Sequence, residues 1–250
     1  MANTIKKGRL IAASLGPGDP GLITRAAWDV LQTAPCWAWP VGRKDGQSYA
    51  LAIVERAGLE PPPGKIPLFF PMTRDLNELA ASWLEAGQKV KKVLDEGVDV
   101  AFLVEGDASF FSTFGHLERT VRGLDPDLEI EIIPGVCSPL ASAALEGHAL
   151  CEGDERVAVV AATNKIDEIE RMLHDFDAMV LMKVRPVLEP ILDLLTKKDL
   201  LKKTVFVERA GTPDERIIKD VTELRGQKVH YLSLMIIHCN DGEQALGMNG

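Results

Sequence analysis

Short apolar runs alternate with amphipathic stretches along most of the chain. Residues 10–15 (LIAASL) read as a buried strand, and Thr24 is placed to cap a helix through RAAWDVLQ. Residues 60–71 (EPPPGKIPLFFP) carry too much proline for a regular element and read as irregular. Over 75–96 the apolar positions Leu76, Leu79, Trp83, Val90, Val93 and Leu94 recur at helical spacing, which predicts a long helix. A buried strand is expected at 98–104 (VDVAFLV), a helix from about Phe111, a strand at 130–134, and a helix of small residues in PLASAALEG.

After Glu152-Gly153-Asp154 the pattern restarts. Strands are expected at 157–162, 178–184, 204–210 and 231–238, with a helix in NKIDEIERMLHDF and another opened by Pro186. The final residues, GEQALGMNG, read as loose. Strands alternating with helices predict an α/β fold with mostly parallel sheets. The restart predicts two α/β domains, 1–152 and 153–250, with a hinge between them.

Composition narrows the class. Apolar residues make up 46% and charged residues 26%, ordinary for a globular protein. A net charge of -9 argues against a nucleic-acid partner, which needs a concentrated basic surface. No apolar run approaches a membrane span and the basic N-terminus has no long apolar stretch, so a cytoplasmic protein with no membrane partner is expected. Cys36, Cys137, Cys151 and Cys239 show no CxxC spacing and read as reduced, mostly buried thiols. The five histidines form no HxH or HExxH pattern, so no protein-held metal is expected.

Three strand-end loops carry the candidate chemistry. The turn Gly16-Pro17-Gly18-Asp19-Pro20-Gly21 matches the dinucleotide pattern GxGxxG, but the physics opposes that use. Pro17 and Pro20 offer no N–H to a pyrophosphate, and Asp19 brings like charge toward it. What remains is a stiff β–α turn that holds a carboxylate at the C-terminal end of a strand, where open α/β sheets bind ligands. Glu105-Gly106-Asp107-Ala108-Ser109 follows the strand at 98–104, and reads either as a turn with a helix cap or as two carboxylates for an amine or ribose hydroxyls. In Ile133-Pro134-Gly135-Val136-Cys137-Ser138-Pro139, Gly135 permits close backbone approach and Ser138 and Pro139 suit a helix start.

Taken in order, LGPGDPGLIT, EGDASFFSTF, IIPGVCS, LMKV and ERAGTPDE resemble the tetrapyrrole (corrin/porphyrin) methylase family over nearly the whole chain. EGDASFFSTF, the PLASAALEG helix and CEGDER resemble the subgroup that methylates C20 of precorrin-2 or cobalt-factor II in cobalamin biosynthesis. Ala108 stands where the family commonly has proline, and Cys137 where serine is common. The resemblance implies two α/β lobes with a ligand cleft between them, S-adenosylmethionine in that cleft as methyl donor with S-adenosylhomocysteine as product, a tetrapyrrole substrate, and a homodimer. It carries over as cofactor contacts Gly106, Asp107, Phe110, Ser112 and Thr113, then Ser138, Met182, Arg209, Ala210 and Thr212. Asp19 and Glu105 are the candidates for removing the C20 proton. Arg25, Arg43 and Arg185 are candidates for pairing with substrate carboxylates. Another position on the macrocycle, another substrate such as that of diphthine synthase, and a non-catalytic nucleotide-binding module remain as alternatives.

Overall fold

A computed structural model describes residues 6–42, 46, 48–71, 73, 75–162 and 165–239. The expectations for Arg43 and for the last residues of the chain fall outside them. The chain forms two compact units, Met1–Cys137 and Ser138–Gly250. The division precedes the restart in the strand pattern because helix α5 (Ser138–Glu146) packs Ala143 into an apolar cluster with the second sheet.

The first unit runs β1 (Leu10–Ser14), α1 (Arg25–Thr33), β2 (Cys36–Val41), α2 (Tyr49–Arg56), β3 (Gly64–Phe69), α3 (Leu76–Asp95), β4 (Val100–Val104), α4 (Phe114–Leu124) and β5 (Ile130–Ile133). Its sheet has the order β3-β2-β4-β1-β5, with every pairing parallel. The central strands β1 and β4 are buried along their whole length, which is why they read as unbroken apolar runs. Their side chains still alternate. Leu10, Ala12, Phe102 and Val104 enter a core with α3 and α4, while Ala13, Ala101 and Leu103 enter one with α1 and α2.

Two expectations need correction here. Residues 64–69 form β3, because an edge strand tolerates Pro67, whose missing N–H removes no bond that an inner strand would need. Helix α4 starts at Phe114 and not near Phe111. Phe111 has φ +50°, a left-handed value that no helix continues, and the Ser112 hydroxyl accepts from the Phe114 amide at 3.0 Å. By contrast, Thr24 caps α1 as expected, accepting from the Ala27 amide at 3.3 Å.

The second unit continues from α5 through β6 (Val157–Ala161), α6 (Ile166–Asp175), β7 (Ala178–Met182), α7 (Leu188–Lys197), β8 (Thr204–Glu208), β9 (Arg216–Ile218) and β10 (Ser233–His238). Its order is β6-β7-β10-β8-β9. Only β6 and β7 pair in parallel; β10 runs antiparallel to β7 and β8, and β8 to β9. Parallel pairing thus prevails over the chain, in five of eight pairings among the described residues, while this sheet taken alone is mixed. Met179, Leu181, Phe206, Met235 and Ile237 pack under α6 and α7, and Val180, Val205, Val207 and Ile236 face α5. Among the described residues no helix is long and apolar enough to cross a membrane. All four cysteines are free, and only Cys36 is buried; Cys137 and Cys239 are half-buried and Cys151 is exposed. Burial is therefore not their common trait, contrary to the reading from composition.

Candidate functional site

Strands β1 and β4 are neighbours, yet the helices that follow them lie on opposite faces of the sheet. Such a divergence opens a crevice at the carboxyl ends of the strands. The three special loops of the sequence meet there. Gly16 and Gly106 exchange backbone hydrogen bonds, the Gly106 amide donating to Gly16 at 2.7 Å and the Gly16 amide donating back at 3.2 Å. Both glycines have positive φ, +77° and +76°. The buried Ser14 hydroxyl at the end of β1 accepts from the Ala108 amide at 2.9 Å. Gly135 sits so close that a Cβ there would lie 2.6 Å from Ser14 Cβ and 2.8 Å from the Gly106 carbonyl oxygen.

Asp107 ties the cluster together. One carboxylate oxygen accepts from the Ser109 amide at 2.8 Å and from the Ser109 hydroxyl; the other accepts from the Gly135 amide at 2.7 Å. Burial pushes its pKa up, but the Ser109 hydroxyl and the Gly135 and Ser109 amides outweigh that and hold it below the usual carboxylate value. Asp107 is thus buried and occupied on both oxygens, and it caps its own turn and not α4.

Glu105 is the opposite case. Its half-buried side chain makes no hydrogen bond or ion pair among the described residues. Desolvation pushes its pKa up to about 7. A carboxyl poised there takes a proton readily near neutral pH. Asp19 is exposed and accepts from the Gly21 amide at 2.8 Å, capping the short 3-10 turn Pro20–Leu22. Its loop is further held by Arg56, whose guanidinium donates to the Gly18 carbonyl. Next along the chain, Phe110 and Phe111 meet edge to face, with ring centres 4.9 Å apart.

The carried-over residues divide between the units. Gly106, Asp107, Phe110, Ser112 and Thr113 follow β4 in the first. In the second, Met182 ends β7, and Arg209, Ala210 and Thr212 form the turn after β8. The start of β10 brings these two strand ends together, since the Lys183 amide donates to Ser233 and the Arg209 amide to Leu232. Arg209 has φ +52°, its carbonyl accepts from both Thr212 groups, and its buried Nε has no acceptor among the described residues. Ser138 opens α5.

Sequence reasoning missed Ser14 and Arg56. Ser14 is a polar residue inside an otherwise apolar buried strand, and that anomaly is the signal that marks it. Arg56 closes a helix with nothing in its surroundings to set it apart.

A model of the family described as Tetrapyrrole (Corrin/Porphyrin) Methylases matches residues 9–224. The chain is 33% identical over 232 residues to the cobalt-precorrin-2 C(20)-methyltransferase of Salmonella typhimurium, covering 92% of this chain and 96% of that one. It is 30% identical over 238 residues to the precorrin-2 C(20)-methyltransferase of a Sinorhizobium species, covering 92% and 95%. Among solved structures, the uroporphyrin-III C-methyl transferase of Thermus thermophilus, complexed with S-adenyl homocysteine, shares the fold with a TM-score of 0.61 at 24% identity, covering 92% of this chain and 97% of that one. With the family model and both relatives spanning most of its length, this chain belongs to the tetrapyrrole (corrin/porphyrin) methylases.

Proposed function

We propose that this protein is an S-adenosylmethionine-dependent methyltransferase that methylates C20 of precorrin-2 or cobalt-factor II in cobalamin biosynthesis. The observation that carries this reading is the near full-length likeness to two C20-methyltransferases at 30–33% identity. Local structure is compatible with the cofactor. Among the described residues a Cβ on Gly106 would meet nothing within 4 Å, so space is open beside the loop, and the buried Arg209 Nε lacks an acceptor that a polar ligand can provide. The residues assigned to holding S-adenosylmethionine are Gly106, Asp107, Phe110, Ser112, Thr113, Ser138, Met182, Arg209, Ala210 and Thr212. Asp107 acts by fixing the Gly106 and Gly135 turns, since both its oxygens are already bonded.

When bound, the sulfonium supplies an electrophilic methyl group. The protein's part is alignment, worth several kcal/mol when the reacting atoms are held at roughly 3–3.5 Å. C20 must then lose its proton. We assign that step to the Glu105 carboxylate, which has no bond among the described residues, and an orienting role to Asp19. The same reading includes a homodimer and a cytoplasmic location, both supported by the family resemblance. Light scattering should then give twice the 27.3 kDa chain mass.

The deciding experiment incubates the protein with precorrin-2 and, separately, with cobalt-factor II, reading methyl incorporation and its position by NMR. Methylation at C20 of either is expected. Incorporation only at another carbon would move the protein to a sibling activity. No incorporation, with S-adenosylhomocysteine unbound by calorimetry, would overturn the reading.

A further inference from the structure

A concavity of about 640 Å³ opens in the second unit where β7 and β8 end and β9 and β10 begin. Among the described residues its wall holds four cations, Arg185, Arg209, Arg216 and Lys228, against three carboxylates. On a chain of net charge -9 that local balance is reversed. The carboxylates are all engaged. Asp214 receives Arg209 at 2.7 Å, and Glu208 receives Arg216 at 3.1 Å together with the His230 amide. Glu215 receives the Gly211 amide at 2.6 Å. Arg185 and Lys228 make no hydrogen bond or ion pair among the described residues. Both cations are therefore available to an anion that enters the concavity.

The lining also says what kind of anion fits. Among the described residues of the wall Val229 alone is apolar, so the lining favours a charged group over a flat apolar ring. Of the three arginines that the sequence offers for substrate carboxylates, Arg25 is bonded to Asp29 at 2.7 Å and Arg43 lies outside the described residues. Arg185 remains, and the fold adds Lys228 to it. A guanidinium takes a carboxylate through two parallel N–H bonds, and an ammonium takes it as a point charge. We infer that this concavity binds a carboxylate side arm of the tetrapyrrole, held by Arg185 and Lys228, while the macrocycle itself lies elsewhere. The identity of the ligand rests on the function proposed above; the concavity and its unpaired cations do not.

The test uses the full chain with uroporphyrin III, an octacarboxylate, as a fluorescent probe. Arg185→Gln and Lys228→Gln should each weaken its binding about 5-fold, and the double variant about 20-fold, the scale of partly exposed charge pairs at a ligand interface. S-adenosylhomocysteine affinity should stay unchanged, which shows that the variants are folded. Lys202→Gln, the same charge change on an exposed residue outside the concavity, should leave porphyrin binding within about 2-fold. Succinate should displace the porphyrin from the wild type and phosphate at equal ionic strength should not. Porphyrin affinity unchanged in the double variant would overturn the inference, as would displacement by phosphate alone or a wild type that does not bind the probe. Methylation of precorrin-2 by the wild type is scored separately, so loss of this inference leaves the proposed activity standing.

Discussion

The two units assemble their strand-end loops by different means. In the first, all strands are parallel, so the carboxyl ends of β1, β4 and β5 share one edge, and their loops lock together through buried hydrogen bonds from Ser14, Gly16 and Asp107. In the second, β10 runs antiparallel between β7 and β8 and brings its own start to their ends. The turn there is held by an exposed pair, Arg209 with Asp214, and next to it Arg216 reaches the buried Glu208. Buried hydrogen bonds resist salt and cost most when broken, whereas exposed ion pairs are weak and screened. The loops of the first unit thus form a frame held by hydrogen bonds to buried residues, while the turn in the second leans on exposed charge.

The largest effect is expected at Glu105, whose carboxyl has no bond among the described residues. Glu105→Gln should lower single-turnover methylation by about 10²-fold or more, the usual loss for a general base, with S-adenosylhomocysteine affinity retained. The wild-type rate should rise with pH through about 7, where Glu105 ionises, and the variant should lose that limb. Stability moves the other way. A carboxyl whose folded pKa lies above its unfolded value binds more protons when folded, so this residue stabilises less as pH rises toward 7. A Glu105→Gln variant that keeps both the rate and the pH limb would return the residue to a loop role.

The second effect separates frame from surface. In Asp107→Asn the amide nitrogen or the oxygen must face the Gly135 amide while the other serves Ser109, and one donor is left unmet in a buried place. Urea unfolding should show a loss of about 1–3 kcal/mol. Because Asp107 is held below its usual pKa, its contribution is present above about pH 4 and is lost as pH falls through the folded value. The variant's stability should therefore be flatter on the acid side than the wild type's. Equal losses at pH 7 and at pH 2 would contradict that assignment.

How much of this contrast the sequence discloses depends on where the determinants lie. Strands β1 and β4 are legible because a central parallel strand must be apolar on both faces. The site loops are legible because glycine and acidic residues directly after such strands have few other reasons to be there. Strand β2 (CWAWPV) escaped because Pro40 interrupts it, and β9 because three residues carry no period. The mixed pairing of the second sheet, the Ser14 bond and the gathering of Arg185 with Lys228 depend on contacts between distant segments. No local pattern encodes them.

A smaller effect is expected on the charged surface. Asp214 is 71% exposed, and its bond to Arg209 resembles the exposed ion pairs that contribute little. Asp214→Asn should lower stability by at most about 1 kcal/mol, and the difference should vanish in 1 M salt, where the screening length is about 3 Å. A salt-independent loss as large as that of Asp107→Asn would erase the distinction between the two units.

The smallest effect is expected at Asp19, although its loop belongs to the frame. The backbone is fixed by Pro17 and Pro20, by the glycines and by the Arg56 bond to Gly18, whatever the side chain does. Asparagine keeps the oxygen that accepts from the Gly21 amide, so the cap survives and stability should change within about 0.5 kcal/mol. Only the charge and the basicity are removed. If Glu105 takes the C20 proton and Asp19 merely orients the substrate, turnover should fall by less than about 10-fold, well short of the loss for a general base. S-adenosylhomocysteine affinity should hold. Pairing calorimetry with single-turnover methylation separates the cases: a fall of about 10²-fold at Asp19, with little change at Glu105, would exchange the roles of the two carboxylates, and a loss of cofactor affinity with normal turnover at saturation would move Asp19 into the cofactor site.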